Sequence, residues 1–166
     1  MFADLCKWNK EISPQGDGLI VASDITQEWL LPWWWGHYSL HNSYPVTFVD
    51  LGMSQEMRAW CKERGNFITL GVPDIFVKVK EEIKDPLVRD WESLYGRKFW
   101  PRRHAWFKKP MACLKSPYLR TIWCDLDCEV RGPLQALFDF CENSSGIALA
   151  HEKYNPFSKE CGLILE

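Results

Sequence analysis

The chain has 166 residues, 46% of them hydrophobic and 25% charged, which suits one globular domain with a real core. A formal net charge of -2 and a pI near 6.1 supply no basic face for phosphate-backbone binding, so nucleic acid is excluded as a partner. No stretch approaches the roughly 20 apolar residues of a membrane span, and MFADLCKWNKEISPQGDG carries no secretory pattern, so the expected location is cytoplasmic.

After this N-terminal extension (1–17), GLIVAS (18–23) is a short apolar, β-branched run behind the turn signal PQGDG and reads as a buried strand. The polar step from Asp24 to Gln27 leads into EWLLPWWWGHYSLHN, where Pro32 fits the first turn of a helix running to about Leu40. Trp33 to Trp35 cannot all lie on one helix face, so at least one ring is partly exposed or covered by a missing partner. YPVTFVDLG (44–52) is a second strand ending in Asp50. Ser54 then caps the helix SQEMRAWCKER, which Gly65 is expected to stop in a left-handed turn, and NFITLG is a third strand.

From Val72 to Arg103 the pattern changes to charged helical pieces separated by prolines. HAWFKKPMACLKS continues as helix, LRTIWCDLD as strand, GPLQALFDFCEN as a short helix, GIALAH as another strand, and CGLILE begins one at the chain end. Strands alternating with helices predict an α/β fold, a mainly parallel, Rossmann-like sheet flanked by helices, which holds ligands beyond the carboxyl ends of its strands. Ser23-Asp24, Asp50 and Asp125-Leu126-Asp127 then gather along one edge.

Seven cysteines, an odd set without a CxxC pair, read as reduced and mostly buried thiols. Cys124 and Cys128, four apart around the aspartates, read as packing residues. On a regular strand Asp125 and Asp127 face the same way and Leu126 faces the packing. Two such carboxylates repel unless a cation sits beside them; Mg²⁺ or Mn²⁺ suits oxygen ligands and leaves positions for the oxygens of a diphosphate. A solvated strand end is the plain alternative.

VASDITQEWLLPWW, YPVTFVDLGMS, the KKP of WFKKPMACLKSPY, and RTIWCDLDCEV resemble, in this order, the nucleotide-sugar-binding half of GT-A glycosyltransferases, especially the family-8-like enzymes, over about residues 18 to 165. The resemblance implies a hexosyltransferase using a UDP-sugar and Mn²⁺ or Mg²⁺, with a glycan, lipid or protein acceptor. It places Ala22, Ser23 and Asp24 at the uracil, Thr26 near the ribose, Lys108 or Lys109 at the phosphates or donor sugar, and Asp125 and Asp127 on the metal, with Asp125 and Leu126 beside the nucleotide-sugar. Catalytic candidates by position are His151, Glu152 and Glu160.

The pattern also departs from the family. Glu160-Cys161-Gly162 stands where an Asn-Ala-Gly-like turn is expected, and His151 falls near a usual acidic position. The acceptor half and a late metal-binding His follow, in the family, the region where this sequence stops. The expectation is a domain (18–166) truncated at its C-terminus and without its acceptor half, either a fragment of a longer enzyme or a shortened relative that has lost turnover, and one that self-associates through its exposed edge. Two rivals remain: a non-catalytic nucleotide-sugar- or glycan-binding domain, and a phosphatase of the haloacid-dehalogenase type, whose strand also ends in DxD.

Overall fold

A computed structural model describes residues 15–70, 80–140 and 146. The expected strands GIALAH and CGLILE lie essentially outside these, as do His151, Glu152 and Glu160. Strand β1 spans Asp17–Ser23 and is buried almost throughout. Helix α1 (Leu31–His41), strand β2 (Val46–Asp50), helix α2 (Gln55–Lys62) and strand β3 (Asn66–Thr69) follow. Helices α3 (Asp85–Tyr95) and α4 (Trp100–Leu114) precede strand β4 (Arg120–Trp123), and helix α5 (Gln135–Asp139) comes after it.

The four described strands form one sheet in the order β3-β2-β1-β4, with every pair parallel. The fold is therefore α/β, a parallel sheet flanked by helices. β1 and β2 are mostly apolar and buried along nearly their whole length because both of their faces are covered.

Alternation along the strands separates two packing layers. Leu19 and Val21 of β1, with Val46 and Phe48 of β2, face one layer with Leu31, Trp34 and Tyr38 of α1, Cys61 of α2 and Phe138 of α5. Ile20 and Val49 face the other, with Ala112 of α4, and Trp123 packs at its border. Within the first layer, Trp34 lies fully buried and stacked on Tyr38 at 5.0 Å, while Trp33 is 40% exposed.

The local signals hold at both helix starts. Pro32 sits in the first turn of α1, and the Ser54 hydroxyl accepts the Met57 N–H at 3.2 Å. Gly65 corrects the expectation: its φ is not in the left-handed region, and α2 ends earlier, at Lys62. The glycine is needed for close approach, because a Cβ there would stand 2.3 Å from the Val46 carbonyl oxygen. Gly18 meets the same demand from the Tyr118 ring, 2.5 Å from where its Cβ would be. No helix among the described residues is long and apolar enough to cross a membrane.

Candidate functional site

The strand order changes direction between β1 and β4, and parallel sheets hold ligands at such a point, beyond the carboxyl ends of the strands. A cleft of about 270 Å³ opens there. Ala22, Ser23 and Asp24 line it from the end of β1, Thr26, Gln27 and Leu30 from the segment that follows, and Leu51 from the end of β2. Trp123, Asp125, Leu126 and Asp127 line it from β4 and its exit, and Lys109 enters from α4.

The segment after β1 is held by its own backbone and by Asp24. Leu51 N–H donates to the Ser23 carbonyl and Ile25 N–H to that of Gly52, which extends the β1–β2 seam past the regular strands. Asp24 Oδ1 accepts the Thr26 N–H at 2.8 Å, the Thr26 hydroxyl at 2.6 Å and the Gln27 N–H at 3.2 Å. That oxygen is occupied by the turn, and Oδ2 is the one left for a ligand. Thr26 is therefore tied to Asp24, and its backbone position is set by the same carboxylate.

Asp50 has a different part to play from the one its strand-end position suggests. Its Oδ1 accepts the N–H groups of Gly52 and Met53, each at 2.8 Å, and its Oδ2 pairs with Arg58 Nε at 2.9 Å. This buried carboxylate folds the β2–α2 loop and does not line the cleft.

At the exit of β4 the structure corrects a second expectation. The strand ends at Trp123, and Asp125 to Cys128 form a turn closed by the Cys128 N–H donating to the Asp125 carbonyl at 3.0 Å. Strand alternation therefore does not place Asp125 and Asp127; the turn does, and it still brings both to the cleft. Leu126 is buried in the first layer and anchors the turn, as its apolar side chain requires. Cys124 packs at the border of that layer and accepts the Trp34 indole N–H at 3.3 Å, whereas Cys128 is exposed and does not pack as expected. Burial pushes the Cys124 thiol up to about 11. The Cys128 thiol is also raised, by burial first and then by the charges of Asp127 and Asp125.

Asp125 Oδ1 receives two donors: Lys109 Nζ at 2.6 Å and the Trp123 indole Nε1 at 2.9 Å. Lys109 lies three residues before Ala112, the buried contact of α4 with the sheet, so the helix face that packs also carries the ammonium to the strand end. Lys108 does not line the cleft. Asp127 is exposed and makes no hydrogen bond or ion pair to another described side chain.

Trp123 was missed as a site residue, as were Gln27, Leu30 and Leu51. For Trp123 a signal existed, since it is the last residue of the apolar run that leads into Asp125, and its indole N–H reaches that carboxylate.

No group of three or more His, Cys, Asp or Glu side chains converges among the described residues. Two carboxylates suit a magnesium- or manganese-type ion that completes its shell from water and ligand phosphates, and do not suit a closed structural metal site. A second hollow, about 370 Å³, lies at the opposite end of the sheet against Tyr38, Asn42, Tyr44, Arg64 and Asn66. It is larger, but it lies at the amino ends of β2 and β3 and contains no carboxylate. Comparison with protein-family models, with curated proteins and with solved structures finds no match for this chain.

Proposed function

We propose that the cleft between β1 and β4 binds the nucleotide-diphosphate part of a sugar donor of the UDP type, and that the domain serves a GT-A-like glycosyltransferase. The observation that carries this reading is the meeting of Asp24, Lys109, Asp125 and Asp127 in one cleft where the parallel sheet changes strand order. Asp24 Oδ2 accepts an N–H from the base, a role that suits the N3–H of uracil. Ala22 leaves room for the base beside it, and Thr26 stands at the ribose. Asp125 and Asp127 hold Mn²⁺ or Mg²⁺, which when bound screens the charge that develops on the leaving diphosphate. Trp123 fixes the Asp125 carboxylate through its indole N–H.

Calorimetry with UDP, with and without Mn²⁺, tests the assignment: metal should tighten UDP by at least about tenfold, a coupling of common size. Asp127→Asn should abolish that gain without lowering the melting temperature, because the side chain is exposed and unpaired among the described residues. Indifference to metal, or preference for purine nucleotides, counts against the reading. Hydrolysis or transfer of a UDP-sugar separates an enzyme from a binding module, since both bind the nucleotide, and hydrolysis of a simple phosphate monoester favours the phosphatase.

A further inference from the structure

Of the two carboxylates in the β4 exit turn, only Asp125 has a cation partner among the described residues, the Lys109 ammonium 2.6 Å away. Both partners are partly open to solvent, Lys109 at 37% and Asp125 at 45% side-chain exposure. An ion pair so placed shifts an equilibrium by about fivefold or less, so it is readily exchanged. The Trp123 indole N–H on the same oxygen is neutral and stays compatible with any cation on Asp125. Its ring, 5.7 Å from Lys109 Nζ, gives the ammonium a second, weaker attraction on the cleft wall.

We propose that Lys109 is an exchangeable internal counterion: its ammonium neutralises Asp125 in the ligand-free protein and passes to the ligand's diphosphate on binding, so that divalent ion and nucleotide enter as a coupled pair. This rests on the nucleotide-diphosphate reading of the cleft. The physical reason is charge counting within a few ångströms. Without nucleotide, Lys109 and a divalent ion compete for one carboxylate and repel each other. With a diphosphate present, Lys109 gains phosphate oxygens as partners and releases Asp125. The flexible four-carbon stem of lysine permits this exchange from a fixed helix position.

The consequence is opposite signs for two affinities in one variant. Mn²⁺ binding is measured by the loss of free-ion electron paramagnetic resonance signal, and UDP binding by calorimetry, each alone and with the other saturating. Lys109→Met should bind Mn²⁺ alone about three- to tenfold more tightly than the parent, because a repelling charge is gone. The same variant should bind UDP with Mn²⁺ more weakly by a similar factor, so the coupling between the two ligands shrinks. Lys109→Arg, which keeps the charge, should retain most of the coupling. A Lys109→Met protein that binds Mn²⁺ alone no more tightly than the parent overturns the proposal. So does a parent protein whose Mn²⁺ affinity is the same with and without bound UDP, a result that needs no variant to fold. Failure of the parent to bind UDP under any condition removes the nucleotide reading itself, and the proposal with it.

Discussion

At the scale of single residues, burial and local bonding decide which polar groups remain for chemistry. Asp24, Asp50, Asp125 and Asp127 all sit at or beyond strand ends, yet Asp50 is consumed by the N–H groups of Gly52 and Met53 and by Arg58. The aspartates that line the cleft were legible in the sequence as a set, because polar ends on apolar strands collect at one edge of a parallel sheet. What was not legible is which oxygen is spent: a chain of letters does not show that Asp24 Oδ1 closes its own turn or that Lys109, and not Lys108, reaches Asp125. The thiols illustrate the same point and give a pH dependence. Burial pushes Cys61 up to about 12 and Cys124 up to about 11, so both stay protonated in the folded chain where unfolded thiols ionise, near pH 9. Above that pH the unfolded state binds fewer protons than the folded one, and stability falls. The contribution of these thiols is therefore intact below about pH 9 and is lost as pH rises toward about 11 for Cys124 and about 12 for Cys61, at up to roughly 1.4 kcal/mol per pH unit for each group. Denaturant melts at pH 8 and pH 10 should show the fall, and Cys61→Ala should reduce the pH slope while lowering stability at both; an unchanged slope in that variant assigns the alkaline loss to other groups.

At the scale of elements, the helix starts were readable because their chemistry is local. Pro32 and Ser54 act within a turn of themselves, so a short window of sequence contains the whole argument. Gly65 and the DLD segment were misread because their conformations are set by something distant or by a competing local bond. Gly65 has to make room for the carbonyl of Val46, a residue of the neighbouring strand. In the DLD segment β4 gives way to a turn before Asp125, and Leu126 turns into the core formed by α1 and its neighbours. These causes predict different costs for two conservative changes near α2. Ser54→Ala removes one side-chain bond to an N–H and should cost about 1 kcal/mol. Gly65→Ala forces a methyl group against backbone 2.3 Å away, so the β2–β3 region must shift and the loss should be clearly larger. Urea unfolding of both variants ranks them; a Gly65→Ala protein as stable as Ser54→Ala would restore the simple turn-glycine explanation.

At the scale of the whole molecule, the sheet has a strong middle and, beside it, a seam that opens into the cleft. β1 and β2 are paired on both sides and buried on both faces, whereas the short β3 and β4 have a neighbour on one side among the described strands. The β1–β4 seam is closed at its amino end by Arg120, which donates to both Asp17 oxygens at 2.8 and 2.6 Å, and opens at its carboxyl end into the cleft. A seam tied at one end and open at the other places the carboxyl end of β4 where a ligand would bridge it to β1. Hydrogen exchange should therefore be slowest at the amides of β1 and β2, because freeing them needs the sheet to open as a unit. If UDP with Mn²⁺ occupies the cleft as proposed, it binds only the folded form, so at about a hundredfold above its dissociation constant it should add roughly 2.7 kcal/mol to every opening that destroys the cleft. The added protection should appear at 22–28 and 123–128, which open locally around the ligand, and at the β1 and β2 amides that exchange by whole-sheet opening. Amides of β3 that exchange by fraying of that strand alone should show no gain, since their opening leaves the cleft intact. Protection gained instead around Tyr38, Asn42 and Arg64 would place the ligand in the hollow at the opposite end of the sheet and refute the β1–β4 site.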